Sequence, residues 1–169
     1  TEFPEEYLRE FYDRLALKKT KGKFYMRLAR EDPAVFATYV LGMQGDHLIR
    51  PHQDYFFQAI IKHPRVVVVK SRQIGMSTAV AIFALWAALF NKFPSGVLSN
   101  TKIGIISRGE DAAKKLLNQY IYGLINQAEA HLSKIAGWVD VFQKLIAQRN
   151  SEMLLFAKTL TCLLYTSDA

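Results

Sequence analysis

Four side chains within nine positions can handle a phosphate: Lys70, Arg72, Ser77 and Thr78, set around Gly75. A bound polyphosphate needs backbone N–H groups around its oxygens, a cation near its terminal phosphates and a hydroxyl that shares its Mg²⁺. Gly75 lets the backbone approach closely. The backbone of Ser71, Gln73, Ile74 and Met76 completes a candidate cradle. Ser77 offers the hydroxyl for Mg²⁺, with Thr78 as alternate, and Lys70 offers the cation.

The stretch relates imperfectly to the phosphate-loop pattern G-x-x-x-x-G-K-[ST]. Gly75 takes the second glycine position and Ser77 the Ser/Thr position. Lys70 stands at the first glycine position and Met76 at the lysine position, so the cation is displaced to the front. An ordinary strand–turn–helix with solvated Lys70 and Arg72 has the same spacing.

The flanking elements predict how these residues are held. Four consecutive valines, Val66–Val69, are stiff at χ1 and suit a strand buried on both faces, as in a parallel sheet. Ala79–Phe90 is rich in Ala and Leu and reads as a core helix packed on that sheet. Lys102–Ser107 reads as the next strand. Strand, helix and strand make a βαβ unit with a right-handed crossover, and a nucleotide belongs at the carboxyl ends of its strands. The expected fold class is α/β: a partial parallel sheet of the P-loop NTPase kind, preceded by N-terminal helices.

The string Lys70-Ser71-Arg72-Gln73-Ile74-Gly75-Met76-Ser77-Thr78 resembles the variant Walker A of the large terminase subunits of tailed phages. Leu48-Ile49-Arg50-Pro51-His52-Gln53 is similar to that family's adenine-side segment. Ile103-Gly104-Ile105-Ile106-Ser107, followed by Glu110-Asp111-Ala112-Ala113, is similar to its next strand and acidic helix start. The resemblance covers roughly Asp32 to Phe156, and the Walker A string is its specific part. It implies an ATPase that uses ATP and Mg²⁺ to drive double-stranded DNA into a capsid. It also implies a portal protein and a small terminase subunit as partners, a homo-oligomeric motor and a place in the host-cell cytoplasm. It makes Lys70 the phosphate cation, Arg72 a candidate cis arginine finger and Gln53 the partner of the adenine N6/N7 edge. A salt bridge on the loop is the plain alternative for Arg72, and a surface position on an amphipathic helix is that for Gln53. His52, with no ligand-spaced partner, reads as structural or exposed.

Composition allows this and excludes other classes. The chain has 169 residues, 50% hydrophobic and 22% charged, which describes a globular rather than a disordered protein. A net charge of +7 favours an anionic partner without choosing among nucleic acid, nucleotide and membrane surface. Ala79–Phe90, the longest apolar run, is short of the ~20 residues needed to span a bilayer, and no membrane role is expected. The acidic, aromatic N-terminus does not read as a signal peptide. The single cysteine, Cys162, excludes an internal disulfide or a cysteine-based zinc cluster. Residues 162–169 resemble a translated sequencing adapter, which makes the chain the front part of a longer protein; a strand over Thr161–Thr166 is the alternative.

In chain order, Pro4–Lys18 predicts a helix with Tyr7, Leu8, Phe11, Tyr12 and Leu15 on one face. Arg14 to Arg30 holds seven basic residues and no acid; a solvated helix face is favoured there over a nucleic-acid contact. Asp32-Pro33 starts a helix that Gly42 ends, and Pro51 starts another that runs to Lys62. Asn91–Gly96 reads as helix stop and loop. Ser107 with Glu110 fits a capping box, a role favoured over phosphate contact. Glu110 to about Gln127 is helical, Ala130–Gln148 is a helix broken near Gly137, and Met153–Phe156 can begin a strand. The expected organisation is an N-terminal helical segment over 1–45 and a partial ATPase domain over 46–161.

An apolar strand ending in Asp-Glu, which would hold Mg²⁺ and orient water, is missing from the sequence; Asp140 sits in a stretch of helical period. The chain is therefore expected to bind nucleotide weakly and to turn it over poorly. A helicase of superfamily two is the nearest rival, and Met76 argues against it. A basic nucleic-acid-binding or scaffold protein without ATPase activity is the rival from another class.

Overall fold

The computed structural model describes residues 3–16, 23–63, 65–90, 92–93, 96–97, 110–135 and 138–147. They form helices around one apolar core. Helix α1 is Glu5–Leu15 and α2 is Lys23–Glu31. Helix α3 begins as Pro33–Val35 and continues as a wider π turn, Phe36–Val40. Then come α4, Pro51–Lys62, and α5, Met76–Phe90. Strands β1, Lys92–Phe93, and β2, Gly96–Val97, pair antiparallel. Helix α6, Glu110–Lys115, runs through a π turn, Leu116–Ile121, into α7, Tyr122–Leu132, and α8 covers 138–147.

The core is built on α5. Eleven of its fifteen residues are buried, on every side of the helix, so it must be covered all round. Phe57 of α4 stacks on Phe83, with ring centroids 6.3 Å apart, and Phe36 of α3 meets Phe90 edge-on at 5.6 Å. The indole N–H of Trp86 donates to the Ala29 carbonyl of α2 at 2.8 Å. Leu117 and Tyr120 of the second π turn pack on the same core. Helices from both sides of residue 45 thus contribute to one interior.

The expected parallel sheet is not found among the described residues, and the α/β assignment is corrected accordingly. Arg65–Lys70 forms no strand. Val67 and Val69 are 92% and 96% exposed, where burial on both faces was expected. β-branched residues favour an extended chain, but a strand exists only when its N–H and C=O groups find a neighbour. No described segment pairs with Arg65–Lys70 as a strand. The second expected strand, Lys102–Ser107, lies outside the described residues, as do Met153–Phe156 and residues 162–169. The sole strand pairing among the described residues is β1 with β2, inside a stretch read as loop. Helix α5 is a core helix as expected, but helices cover it where a sheet was expected, and it starts at Met76 rather than Ala79.

Local signals fare better. Asp32 caps α3, its Oδ1 accepting from Ala34 N–H at 2.9 Å, with Pro33 at the first helical position. Gly42 ends the helix with φ +71°, and Met43 N–H reaches back to Ala37 O. A Cβ at Gly42 would come within 2.5 Å of the His131 ring on α7. Gln127 Nε2 donates to Leu41 O at 2.9 Å, so α7 also covers the end of α3. Helix α4 has the expected bounds. The first helix ends at Leu15 rather than Lys18, and α7 runs on to Leu132, past the expected end near Gln127.

Arg14 departs from the expected basic surface. Its Nη2 donates to Asp54 Oδ1 at 2.5 Å. Its Nε lies 3.0 Å from Asp32 Oδ2, close enough for an ion pair but off the line of a hydrogen bond. Burial opposes Arg14's charge, and the bond to Asp54 with the charges of Asp32 and Asp54 more than offsets it. The partners differ: Asp32 is raised above the usual carboxylate range, because its burial outweighs the attraction of a guanidinium shared with Asp54.

Two expectations follow. Gly42→Ala adds a left-handed strain and a clash with His131, and should lower unfolding free energy by about 3 kcal/mol in urea titration. Because Asp32 has a raised pKa in the folded state, its contribution to stability is fully present below its ordinary value of 3.8 and is lost as pH rises through the folded value. Asp32→Asn keeps a capping oxygen, so its stability-against-pH curve should lack that loss.

Candidate functional site

The candidate site is the loop 71–75 and the first turn of α5. Two residues in the loop have left-handed backbone, Gln73 with φ 60° and Gly75 with φ 76°. They fold the chain from the extended Arg65–Lys70 segment into the start of the helix. Gly75 O accepts from Ala79 N–H at 3.1 Å, the first bond of α5. The N–H groups of Met76, Ser77 and Thr78 then have no acceptor within the helix, and the helix dipole adds partial positive charge there.

Helix α4 holds this loop from one side. Gln53 Nε2 donates to Gly75 O at 2.9 Å, and His52 Nε2 donates to Ile74 O at 2.7 Å. A carbonyl only accepts, so His52 carries its proton on Nε2. In a trans peptide the N–H points opposite to the C=O. Drawing the Ile74 and Gly75 carbonyls toward α4 turns the Gly75 and Met76 N–H groups away from it. Backbone N–H groups aimed this way are what an anion could accept from.

The expected side chains sit around it unevenly. Lys70, Ser71, Arg72, Gln73 and Ser77 are exposed, Ile74 and Thr78 are partly covered, and Met76 is buried. Lys70 Nζ reaches only the neighbouring Ser71 carbonyl, at 3.4 Å. Met76 faces the core, which suits an apolar residue where the usual pattern has lysine. The donor set fits a Mg²⁺ ion that arrives with a nucleotide, since such an ion keeps waters and phosphate oxygens and takes few protein ligands. Ser77 is the hydroxyl available to it. Among the described residues no group of three or more His, Cys, Asp or Glu could hold a metal by itself.

Gln53 is placed beside the loop but is already occupied. It is 6% exposed; Oε1 accepts from Arg50 N–H at 3.0 Å while Nε2 holds Gly75. Pairing with an adenine edge requires both groups to let go. Asp140 is exposed on α8, and Ser107 lies outside the described residues.

Residues that sequence reasoning passed over complete the arrangement. Asp54, next to Gln53, is fully buried and joins Arg14 and the Tyr7 hydroxyl, the latter at 2.6 Å. Burial, then the bond to Asp54 and its charge, hold the Tyr7 hydroxyl firmly protonated. An acid in the first turn of a helix is common for dipole reasons, which hid Asp54's role. His52 had no ligand-spaced partner, and its carbonyl partner lies 22 residues away.

Gly75→Ala tests the loop conformation. A Cβ there would lie 2.9 Å from Gln53 Nε2 and force a left-handed alanine. Unfolding free energy should fall by ~1–2 kcal/mol, measured in urea. Comparisons with protein-family models, curated proteins and solved structures gave no match to this chain.

Proposed function

We propose that this chain carries the nucleotide-phosphate loop of a viral DNA-packaging ATPase of the large terminase kind. The carrying observation is the loop 71–75, which leads into the free N–H groups of α5 under two hydrogen bonds from α4. The string Lys70–Thr78, with its lysine at the front, supports the same reading. The parallel sheet does not enter it. Lys70 and the backbone of Gly75 and Met76 take the phosphates, Ser77 shares Mg²⁺ with them, and Arg72 is the cation for charge that develops on the γ-phosphate. ATP with Mg²⁺ is the ligand, and the parent machine acts on double-stranded DNA with a portal protein, a small terminase subunit and further copies of itself. The host-cell cytoplasm is where such a machine works. Among the described residues no helix is long and apolar enough to cross a membrane. The net charge of +7 is compatible with a DNA partner, and it equally suits a basic nucleic-acid-binding protein without ATPase activity.

A titration with a fluorescent ATP analogue separates these. Wild type should show saturable, Mg²⁺-dependent binding with little turnover. Lys70→Ala and Ser77→Ala should each weaken it by roughly tenfold or more, the size expected for losing a charge-assisted phosphate contact or a metal ligand. Absence of saturable binding by the folded wild type would favour the non-enzyme.

A further inference from the structure

Three consecutive residues in the first turn of α4 face two different elements. His52 and Gln53 hold the carbonyls of Ile74 and Gly75 in the loop. Asp54 is held by α1, through Arg14 Nη2 at 2.5 Å and Tyr7 Oη at 2.6 Å. Tyr7 Oη also lies 3.2 Å from Pro51 O, the first residue of the same helix. Arg14 reaches Asp32 as well, so α1, the start of α3 and the start of α4 meet at one guanidinium. A buried carboxylate cannot drop its partners cheaply, because losing one leaves its charge out of water and uncompensated. The turn that holds the loop is therefore itself held by α1.

We propose that α1 regulates the candidate phosphate loop through His52, Gln53 and Asp54: α1 docked keeps the Gly75 and Met76 N–H groups aimed outward, and α1 displaced releases them. The regulatory meaning rests on the phosphate reading above; the mechanical coupling does not. His52 and Gln53 are positioning residues in this scheme, and Arg14 and Tyr7 act through them. Two sites coupled in this way influence each other reciprocally, so a ligand on the loop also tightens α1.

Amide hydrogen exchange in the whole chain tests the coupling without any nucleotide. The probe is the Ala79 N–H, whose acceptor is the Gly75 carbonyl that Gln53 also holds. Arg14→Gln should speed its exchange by roughly five- to tenfold, within the usual range of coupling between sites. Tyr7→Phe removes a hydroxyl and no charge, and should act in the same direction if Arg14→Gln does not fold. Arg9→Gln, which disturbs only an exposed pair with Glu5, should leave Ala79 unchanged. In a background of His52→Ala and Gln53→Ala, Arg14→Gln should have no further effect on Ala79. Faster exchange in α1 with Ala79 unchanged would overturn the proposal. So would equal acceleration at Ala79 and at Ile82–Leu85 in the middle of α5, which reports global loosening. Titration with the fluorescent ATP analogue and Mg²⁺ is run beside it. If wild type binds, Arg14→Gln should weaken binding by a similar factor, and unchanged affinity overturns the regulation. If wild type binds nothing, the phosphate reading and the regulation fall together, and the exchange result decides the mechanical coupling by itself.

Discussion

A carboxylate removed from water must be neutralised or paired, and Asp54 is fully buried in the first turn of α4. Its partners come from forty and more residues away, Arg14 and Tyr7 on α1. That single requirement joins the N-terminal helix to the middle of the chain. It also settles the rotation of α4, because Asp54 can meet α1 only when Phe57 turns toward α5 and His52 and Gln53 turn toward the loop. Breaking such a pair is costly even where forming it adds little net stability, so its main effect is to specify one arrangement.

The second constraint is α5. A helix apolar on all sides cannot rest on a single neighbour. In this chain α2, α3, α4 and the second π turn surround it. Both π turns lie at sites of close packing, Phe36–Val40 on α2 and Leu116–Ile121 on α5. The covering leaves only the first turn of α5 open, and the loop arrives there. The N–H groups of that turn are thus left open by the way the rest of the helix is buried.

The turn ahead of α5 was legible in the sequence: Gly75 before an apolar helix announced a loop there, and the loop has left-handed backbone at Gln73 and Gly75. Gln53 was read as the partner of an adenine edge or as a surface glutamine; its side chain lies beside the loop, with both groups holding backbone. His52, Asp54, Tyr7 and Arg14 were not legible in these roles. Their partners are remote in sequence, and neither periodicity nor spacing reports which remote residue a polar side chain meets. The valine run shows the opposite failure. Its β propensity is plain, yet propensity supplies no neighbouring strand, and the segment stays extended and exposed.

By itself the sequence determined what is local: the caps at Asp32 and Gly42, the bounds of α4 between Pro51 and Lys62, the burial of α5 and the turn at Gly75. These depend on φ preferences, on missing or added hydrogen-bonding groups and on hydrophobic spacing, all contained within a few residues. Only the tertiary structure decided that helices would cover α5, that Arg14 would serve as counterion to the buried Asp54 and that His52 and Gln53 would grip the loop. Those outcomes depend on which surfaces meet, and pairing of charges and carbonyls across 22 to 47 positions is settled by packing geometry alone.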